Sequence, residues 1–220
     1  MAGILFIISA PSGSGKTTLV ERVRSLVDGL DFSISYTTRP PRGSETNGRE
    51  YHFTERFTFE QMIADGEFLE WAEVFGNYYG TTMAALDHAR AAGKDLLLDI
   101  DVQGAVQIMK MLPSAVSIFI LPPSPEVLEM RLRNRSEAEK MTCEAVIEER
   151  LRQARSELEQ VQDYKYALVN DVLDQATAEM RAIVLYERGQ TNGVEEIAAS
   201  CLTAAHSPRL DAALESFQVG

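Results

Sequence analysis

Residues 9–18 have the composition and spacing of a loop that binds phosphate. They read S-A-P-S-G-S-G-K-T-T, which fits the Walker A spacing with alanine where the usual pattern has its first glycine. Gly13 and Gly15 let backbone N–H groups turn toward an anion. The Lys16 ammonium can meet the β- and γ-phosphates of a nucleotide, and the Thr17 hydroxyl can ligate Mg²⁺.

The surroundings of this loop decide between a nucleotide site and a chance G-x-G-K in a surface turn. An apolar run at residues 4–8 precedes the loop, and Leu19, Val23 and Leu26 follow it at helical spacing. Strand, loop and helix in this order are the context that the motif requires, with the positive end of the helix directed at the phosphates. We therefore predict a fold that binds a nucleoside triphosphate.

Two carboxylates, Asp99 and Asp101, lie at the end of a second apolar run, residues 96–100. Ligands of doubly wound sheets bind at the carboxyl ends of the strands. If the chain stays extended, both side chains point to the same face. They could then hold Mg²⁺, directly or through water, or position an acceptor nucleotide. Alternatively, Asp101 could cap a helix that starts near Gln103.

Hydrophobic patterning predicts an α/β fold. Four short apolar runs have the composition of buried strands: residues 4–8, 96–100, 116–121 and 166–169. Helical patterns occur between them, at residues 83–92, 103–111 and in a charged stretch from 126 to about 162. This alternation predicts a mostly parallel sheet flanked by helices, with right-handed crossovers.

Two segments interrupt that alternation. Residues 33–82 mix Thr, Arg, Gly, Tyr and Phe and predict a small inserted α+β unit, and residues 125–160 predict a charged helical insertion. Within the first, S-Y-T-T-R-P-P-R at residues 35–42 carries arginines that could grip an anion, although an exposed basic loop is the alternative. Beyond about residue 190 the chain is rich in Ala and Ser, which predicts either a loosely packed helix or disorder, without chemistry.

Composition limits the partners of the protein. The chain has 220 residues, 45% of them hydrophobic, which suits one domain or one core with insertions. Its net charge of −12 argues against nucleic acid, and its apolar runs are too short to cross a membrane. Cys143 and Cys201 belong to no metal-spaced cluster and are expected to be reduced thiols. We see no secretory signal and expect a cytoplasmic protein.

Four segments together resemble the guanylate kinase family, in order and approximate spacing between residues 3 and 188. They are the loop at 9–18, S-Y-T-T-R-P-P-R at 35–42, F-L-E-W-A-E-V-F-G-N-Y-Y-G-T at 68–81 and L-L-L-D-I-D-V-Q-G at 96–104. The resemblance implies a nucleoside monophosphate kinase of the P-loop superfamily that moves the γ-phosphoryl group of ATP onto GMP in purine nucleotide metabolism. It implies Mg²⁺ as cofactor, with ATP and GMP as partners. Whether dGMP is also accepted, and whether the protein is a monomer or a homo-oligomer, stay open.

The resemblance also assigns site residues. The ATP-binding set is Ala10, Pro11, Ser12, Gly13, Ser14, Gly15, Lys16, Thr17, Thr18 and Asn170. The GMP-binding set is Ser35, Arg39, Arg42, Tyr51, Glu70, Tyr79, Thr81, Asp99 and Asp101, in which Arg39 and Arg42 grip the phosphate while Ser35, Glu70 and Thr81 meet the guanine. The catalytic set is Lys16, Arg39, Arg131, Arg135 and Arg150, with Arg152 and Arg155 as rivals of Arg150. The metal set is Thr17, Asp99 and Asp101.

By the same resemblance the chain divides into a core, a GMP-binding subdomain and a helical lid. The core comprises residues 1–32 with the phosphate loop, 83–125 and 156–190. The GMP-binding subdomain is 33–82, the lid is 126–155 and a C-terminal tail is 191–220. Two alternatives are a nucleoside monophosphate kinase for another base and a non-catalytic guanylate-kinase-like module that binds phosphorylated partners.

Overall fold

A computed structural model describes residues 3–138 and 144–218 and contains two β-sheets. The larger sheet is parallel, with strand order β2-β7-β1-β8-β9. Its strands are β1 (Leu5–Ser9), β2 (Leu30–Phe32), β7 (Asp95–Asp99), β8 (Val116–Leu121) and β9 (Tyr166–Val169). The predicted α/β class is therefore confirmed, and β2 is a strand that the hydrophobic pattern did not reveal.

The smaller sheet has strand order β4-β3-β6-β5. Its strands are β3 (Tyr36–Thr37), β4 (His52–Phe53), β5 (Phe68–Val74) and β6 (Asn77–Thr82). Strands β5 and β6 form an antiparallel hairpin whose two loop residues, Phe75 and Gly76, have φ of 49° and 75°. Two left-handed residues in succession give the twist that a tight hairpin requires.

Helices accompany both sheets. They are α1 (Lys16–Leu26), α2 (Arg56–Ala64), α3 (Met83–Ala91), α4 (Val102–Met111), α5 (Pro125–Ala138), α6 (Glu144–Leu158), α7 (Leu173–Glu187), α8 (Glu195–Ser200) and α9 (Pro208–Gln218). Short 3₁₀ turns occur at Val161–Asp163 and Thr203–Ala205. None of the helices within the described ranges has both the length and the apolar character needed to cross a membrane.

The chain forms two compact units. The first comprises the chain up to Ile7 together with Gly29–Ala115, and the second comprises Ile8–Asp28 and the chain from Val116 onward. In the first, α4 packs on β5 and α3 packs on β7. In the second, α1 and α9 pack near α7 and β9 respectively, and α5 packs on α6. The finer division into core, GMP-binding subdomain and lid stays a prediction.

The strands of the larger sheet form where continuous apolar runs can be buried on both faces. All six residues of β8 are buried, as are Phe6, Ile7 and Ile8 of β1. Such runs are typical of parallel strands covered by helices on both sides. Burial on both faces also explains why these strands were readable from sequence, since almost every position in them is apolar.

The charged stretch from 126 to about 162 contains two helices, α5 and α6, on either side of residues that lie outside the described ranges. Arg133 of α5 accounts for part of the charge pattern. Its guanidinium donates to Glu129 of the same helix at 2.8 Å and to Glu144 of α6 at 2.8 Å. These charges of the predicted helical insertion therefore pair with one another at the surface, where each pair contributes little stability.

Residues 191–218 of the C-terminal tail are ordered and packed, which corrects the expectation of a loose helix or disorder. Leu210, Ala213 and Phe217 of α9 are buried, and α9 packs on β9 while α8 packs on α7. Ala and Ser lowered the apparent hydrophobicity of this segment. A few well-spaced apolar residues are nevertheless enough to dock a short amphipathic helix on a strand that is otherwise an edge of the sheet.

We expect Leu210→Ala to lower the free energy of unfolding by roughly 2–4 kcal/mol, because the substitution leaves a cavity under α9. The matched control is Leu26→Ala, since Leu26 of α1 is 54% exposed and its loss should change stability by about 0.5 kcal/mol at most. Urea denaturation of both variants measures the difference. Equal stabilities for the two would mean that the tail does not pack as described.

Candidate active site

The predicted site residues fall into two groups, one on each unit. In the second unit, residues 9–15 join the buried strand β1 to α1. Gly13 and Gly15 have φ of 92° and 81°, in the left-handed region that favours glycine. Gly15 is also the N-cap of α1, so Lys16 is the first helical residue. The loop thus presents backbone N–H groups at the positive end of a helix, which is the arrangement expected for binding phosphate.

Contacts inside the loop and to neighbouring elements fix its shape. The Ser14 hydroxyl donates to the Pro11 carbonyl at 2.7 Å, and the Ser14 backbone N–H donates to the same oxygen at 3.1 Å. The Ser14 carbonyl in turn accepts from Asn170 Nδ2 at 2.8 Å and from Arg131 Nη1 at 3.2 Å. A loop that binds anions with its N–H groups needs its carbonyls turned away and satisfied, and these side chains do that.

Two glycines of the loop are tightly enclosed. A Cβ added to Gly15 would lie 2.6 Å from Asn170 Nδ2, and one added to Gly13 would lie 3.1 Å from atoms of Leu128 and Leu132 in α5. Side chains at either position would therefore displace α5 or Asn170. The glycines serve both the backbone conformation and the close approach of α5.

Arg131 and Asn170 come together at the loop, where both donate to the Ser14 carbonyl, and the described contacts of Arg131 go to protein. Its second amine group donates to the Asn170 carbonyl at 3.0 Å. Arg135 lies in α5, and its side chain is outside the described part of the structure. Arg150 of α6 is buried, whereas Arg152 is exposed and pairs with Glu149 on its own helix. The contact of these arginines with a transferring phosphoryl group stays a prediction.

In the first unit, Glu45, a residue that the sequence did not single out, contacts both Arg39 and Arg42. Tyr51 and Tyr79 lie on the side of Arg39. The Arg39 guanidinium donates to both Glu45 oxygens at 2.9 and 3.0 Å, and the Arg42 backbone N–H donates to Glu45 at 2.8 Å. Although desolvation opposes it, this bonding lowers the pKa of Glu45. The Arg39 fork is thus already shaped to hold a two-oxygen anion.

Two tyrosines border Arg39. Its guanidinium carbon lies 5.3 Å from the centre of the Tyr51 ring, and the rings of Tyr51 and Tyr79 are 5.9 Å apart. Burial, with a contribution from the negative charge of Asp99, raises the pKa of Tyr51 to about 12. Tyr51 therefore stays protonated and can donate a hydrogen bond to an anion beside Arg39.

Glu70 is the most unusual residue of the site. It is 3% exposed, in the middle of β5, and hairpin pairing puts it opposite Thr81, which is fully buried. No described residue makes a hydrogen bond of normal geometry with Glu70 Oε1 or Thr81 Oγ1, although the proximity of Thr81 favours the charged carboxylate. Desolvation dominates, helped by repulsion from Asp101, and raises the pKa of Glu70 to about 7.

Gly104 of α4 makes room for this carboxylate. A Cβ at position 104 would lie 2.3 Å from Glu70 Oε2, closer than atoms can approach. Ser35 is buried and comes directly before β3. In the antiparallel pairing of β3 with β6, Tyr36 lies opposite Gly80, so the preceding residue, Ser35, lies beside Thr81. Ser35, Glu70 and Thr81 are therefore neighbours in the smaller sheet, and their contact with a guanine base stays a prediction.

Asp101 caps α4, the alternative that the sequence left open. Its Oδ1 accepts from the backbone N–H groups of Gln103 and Gly104 at 2.7 and 3.2 Å. Strand β7 ends at Asp99, two residues earlier. Asp101 still acts electrostatically on Glu70, and Asp99 acts on Tyr51, so each carboxylate lies near another member of the predicted GMP-binding set.

The described residues contain no group of three or more His, Cys, Asp or Glu side chains that could hold a metal ion. Mg²⁺ at nucleotide sites does not need one, because it takes one or two protein oxygens along with phosphate and water. The exposed Thr17 hydroxyl in the first turn of α1 fits this requirement, as does Asp99 at the end of β7. Asp101 fits it through the oxygen that does not cap α4.

Two functional residues were missed from the sequence. Gly104 is the last residue of the segment L-L-L-D-I-D-V-Q-G at 96–104. The glycine at the end of this motif was the signal from which its role could have been inferred. Glu45 lies three residues after Arg42 in a polar loop, and nothing local distinguishes it from a solvated glutamate. Cys201, expected to be a reduced thiol, is free and buried, and Cys143 lies outside the described residues.

Comparisons with known proteins agree with this geometry. A family model described as guanylate kinase matches residues 3–187. The guanylate kinase of Koribacter versatilis (strain Ellin345) is 50% identical, and the match covers 99% of this chain and 97% of that protein. The guanylate kinase of Nitrosospira multiformis is 49% identical, covering 86% of this chain and 88% of its own.

A solved structure is also similar. The crystal structure of guanylate kinase from Anaplasma phagocytophilum superposes with a TM-score of 0.68 at 32% identity, covering 90% of this chain and 95% of that one. The matches in sequence and in fold extend through both groups of site residues. The chain belongs to the guanylate kinase family.

Proposed function

We propose that this protein transfers the γ-phosphoryl group of ATP to GMP, giving ADP and GDP. The observation that carries the proposal is the Glu70 carboxylate, buried opposite Thr81 with Oε1 lacking a hydrogen bond of normal geometry to any described residue. A buried acceptor of this kind is costly unless a ligand supplies the missing donor.

Guanine matches Glu70 chemically. Its N1–H and exocyclic amine are two donors on one edge, and a carboxylate accepts both. Adenine lacks this donor pair and would leave Glu70 buried without donors. Sites that hydrogen-bond a required group reject analogues lacking it by about 10⁴-fold or more. Ser35 and Thr81 add hydroxyl groups next to the carboxylate, which suits the remaining polar atoms of the base.

The phosphate of GMP is assigned to Arg39, Arg42, Tyr51 and Tyr79. Arg39 holds the Glu45 carboxylate with two parallel hydrogen bonds, and the same planar fork suits phosphate oxygens. Tyr51 stays protonated beside it because its pKa is raised. The acceptor phosphate itself is largely ionised at neutral pH, since its second pKa is about 6. The reaction therefore needs no general base.

The triphosphate of ATP is assigned to the loop at residues 9–18. Its glycines direct backbone N–H groups at the phosphates, and Lys16 adds a positive charge at the first turn of α1. A divalent metal accompanies ATP in this family of kinases, and we propose Mg²⁺, with Thr17, Asp99 and Asp101 as the candidate ligands, directly or through water. When bound, Mg²⁺ would neutralise charge on the phosphate oxygens.

Other features stay predictions of the sequence: arginines of α5 and α6 at the transferring phosphoryl group, a cytoplasmic location, and dGMP as a second acceptor.

The two alternative functions are a kinase for another base and a non-catalytic module. Gly13, Gly15, Lys16 and Thr17 are all present, which favours catalysis. A coupled ADP-release assay across GMP, dGMP, AMP, CMP and UMP distinguishes the three functions. The proposal would be refuted if ADP were released with AMP, CMP or UMP but not with GMP, or if none of the five acceptors led to ADP release.

Lys16→Met should lower kcat by about 10²-fold or more, because a fixed positive charge at the transferring phosphate is lost. Lys110→Met, at an exposed position in the last turn of α4, is the matched control and should be neutral. Steady-state kinetics with saturating GMP measures both. Near-normal kcat in folded Lys16→Met would contradict the assignment.

Glu70→Ala should raise KM for GMP steeply and narrow the GMP/AMP ratio of kcat/KM by about tenfold or more, while KM for ATP stays nearly unchanged. Glu73→Ala provides the control, because Glu73 lies on the same strand with its side chain 47% exposed. The test is kcat/KM for both acceptors in the two variants and the wild type. A ratio in Glu70→Ala within about threefold of the wild type, worth only ~0.65 kcal/mol, would show that Glu70 does not select the base.

GMP binding should weaken as pH falls below the raised pKa of Glu70, about 7. Only the charged carboxylate accepts both guanine donors, so the Kd for GMP should rise about tenfold per pH unit below that value. Glu70→Gln removes this titration but keeps that of the GMP phosphate near pH 6. Calorimetric titrations from pH 5.5 to 8.5 compare the two, and identical profiles would argue against ionisation of Glu70.

The same titration should affect stability with a definite sign. The pKa of Glu70 in the folded protein lies above its ordinary value of 4.5. Protonation therefore favours the folded state, and the folded protein loses stability as pH rises from about 4.5 through 7. The free energy of unfolding of Glu70→Gln minus that of the wild type should therefore be larger at pH 8 than at pH 5. Urea denaturation of both proteins at the two pH values measures this difference.

A further inference from the structure

The C-terminal segment from Glu195 to Gln218 lies beyond the region that the family model matches, yet it is bonded to β9. The Ala167 N–H donates to the Cys201 carbonyl at 2.9 Å, and the Thr203 N–H donates to the Lys165 carbonyl at 3.1 Å. These bonds cover part of the outer edge of the large sheet. They also anchor the start of α9, which carries Arg209.

Arg209 uses its planar fork to join two elements. Nη1 donates to Glu179 Oε1 of α7 at 2.6 Å, and Nη2 donates to the backbone carbonyl of Val169 at 2.5 Å. The Arg209 and Glu179 side chains are 31% and 14% exposed. Their partial burial makes both hydrogen bonds stronger than typical surface contacts.

The Val169 carbonyl belongs to the same peptide group as the Asn170 N–H. That N–H donates to the Leu121 carbonyl of β8 at 2.7 Å. Arg209 therefore holds one polar atom of this peptide group and β8 holds the other. Because the peptide group is planar, the two contacts together fix its orientation and hence the direction in which Asn170 leaves the strand.

Asn170 carries that orientation to the phosphate loop. Its Nδ2 donates to the Ser14 carbonyl at 2.8 Å, and its own carbonyl accepts from Arg131 at 3.0 Å. The fit is close, since a Cβ on Gly15 would lie 2.6 Å from Nδ2. A rotation of the Val169–Asn170 peptide would move Asn170 away from Ser14 or against Gly15.

We propose that Arg209 is a positioning residue for ATP binding: it fixes the peptide that orients Asn170, and Asn170 holds the phosphate loop in its binding conformation. Arg209 does not touch the nucleotide itself. The inference rests on the proposed function of the loop at residues 9–18 as the ATP site. It gives the C-terminal segment a role in nucleotide affinity in addition to its contribution to stability.

A purely structural role for Arg209, pairing with Glu179, would lower stability and affect both substrates alike. A positioning role predicts a selective effect. Arg209→Ala should raise KM for ATP and Kd for ATP about three- to tenfold, with KM for GMP within about twofold of the wild type, because only the loop is disturbed. Arg209→Lys should give a smaller rise in the same direction, because a single ammonium cannot hold both acceptors at once.

Two further variants separate the contacts of Arg209. Glu179→Gln removes the charge pair but keeps the bond to the Val169 carbonyl, so it should lower the melting temperature and leave KM for ATP within about twofold. Arg181→Ala removes an exposed arginine of α7 and controls for the change in net charge.

The measurements are KM for each substrate, the Kd of ATP by calorimetry and the melting temperature, for the wild type and all four variants. A selective loss of ATP affinity in the Arg209 variants, absent from Glu179→Gln and Arg181→Ala, supports the proposal. Unchanged ATP affinity, or equal changes for ATP and GMP, would overturn it. If Arg209→Ala does not fold, the comparison of Arg209→Lys with Glu179→Gln decides in the same way. Absence of ATP binding in the wild type would instead refute the proposed function of the loop.

Discussion

The burial of the Glu70 carboxylate with an incomplete set of hydrogen-bond donors is the constraint on which the structure around β5, β6 and α4 depends. The Glu70 carboxylate has lost its water but has not gained a full set of hydrogen bonds, and its raised pKa is the direct expression of that cost. Two local features accommodate this buried carboxylate. The hairpin register faces Glu70 with Thr81, and position 104 is a glycine because no side chain fits beside the carboxylate. The unit is thereby built around a buried polar group without a full set of protein donors. Under the proposed function, guanine supplies the missing donors, and selectivity for the base is obtained at the expense of the stability of the unliganded protein.

The phosphate loop of the second unit follows a different principle. The hydroxyl, N–H and carbonyl groups of Ser14 all have protein partners, Pro11 within the loop and Asn170 and Arg131 outside it. A loop held in this way needs little reorganisation when the triphosphate binds, so less binding energy is lost to ordering it. The partners come from elements far apart in sequence, α5 and the end of β9, and Arg209 in α9 adds one more contact behind Asn170.

The features that could be predicted from sequence are those encoded locally. Residues 9–18 combine a strand, two glycines, a lysine and a helix within a short segment, and β8 is apolar at every position, so both were readable without tertiary information. Strand β2 was missed because its three residues include Asp31. The packing of α9 was missed because Leu210, Ala213 and Phe217 are few and widely spaced in a polar segment. Glu45 acts through Arg39 and Arg42, which a folded polar loop brings to it, and Gly104 acts through Glu70 of β5, which is distant in sequence. No local pattern encodes either pairing. Asp101 had two compatible readings, and the choice depended on where β7 ends.

The two-residue turn at Phe75 and Gly76 has a consequence for how this part of the protein can change. Side chains alternate between the faces of a strand, so adding or removing one residue within either strand, between Glu70 and Val74 or between Asn77 and Thr81, would turn Glu70 or Thr81 toward the opposite face unless a bulge absorbed the change. A residue added at the turn itself lengthens the loop and leaves the pairing of the strands intact, because longer hairpin loops are also common. Changes in length are therefore tolerable at Phe75 and Gly76 and not in the strands on either side. The tip of this hairpin, where Phe75 is exposed, is accordingly a place where a tag or a peptide can be inserted without separating Glu70 from Thr81.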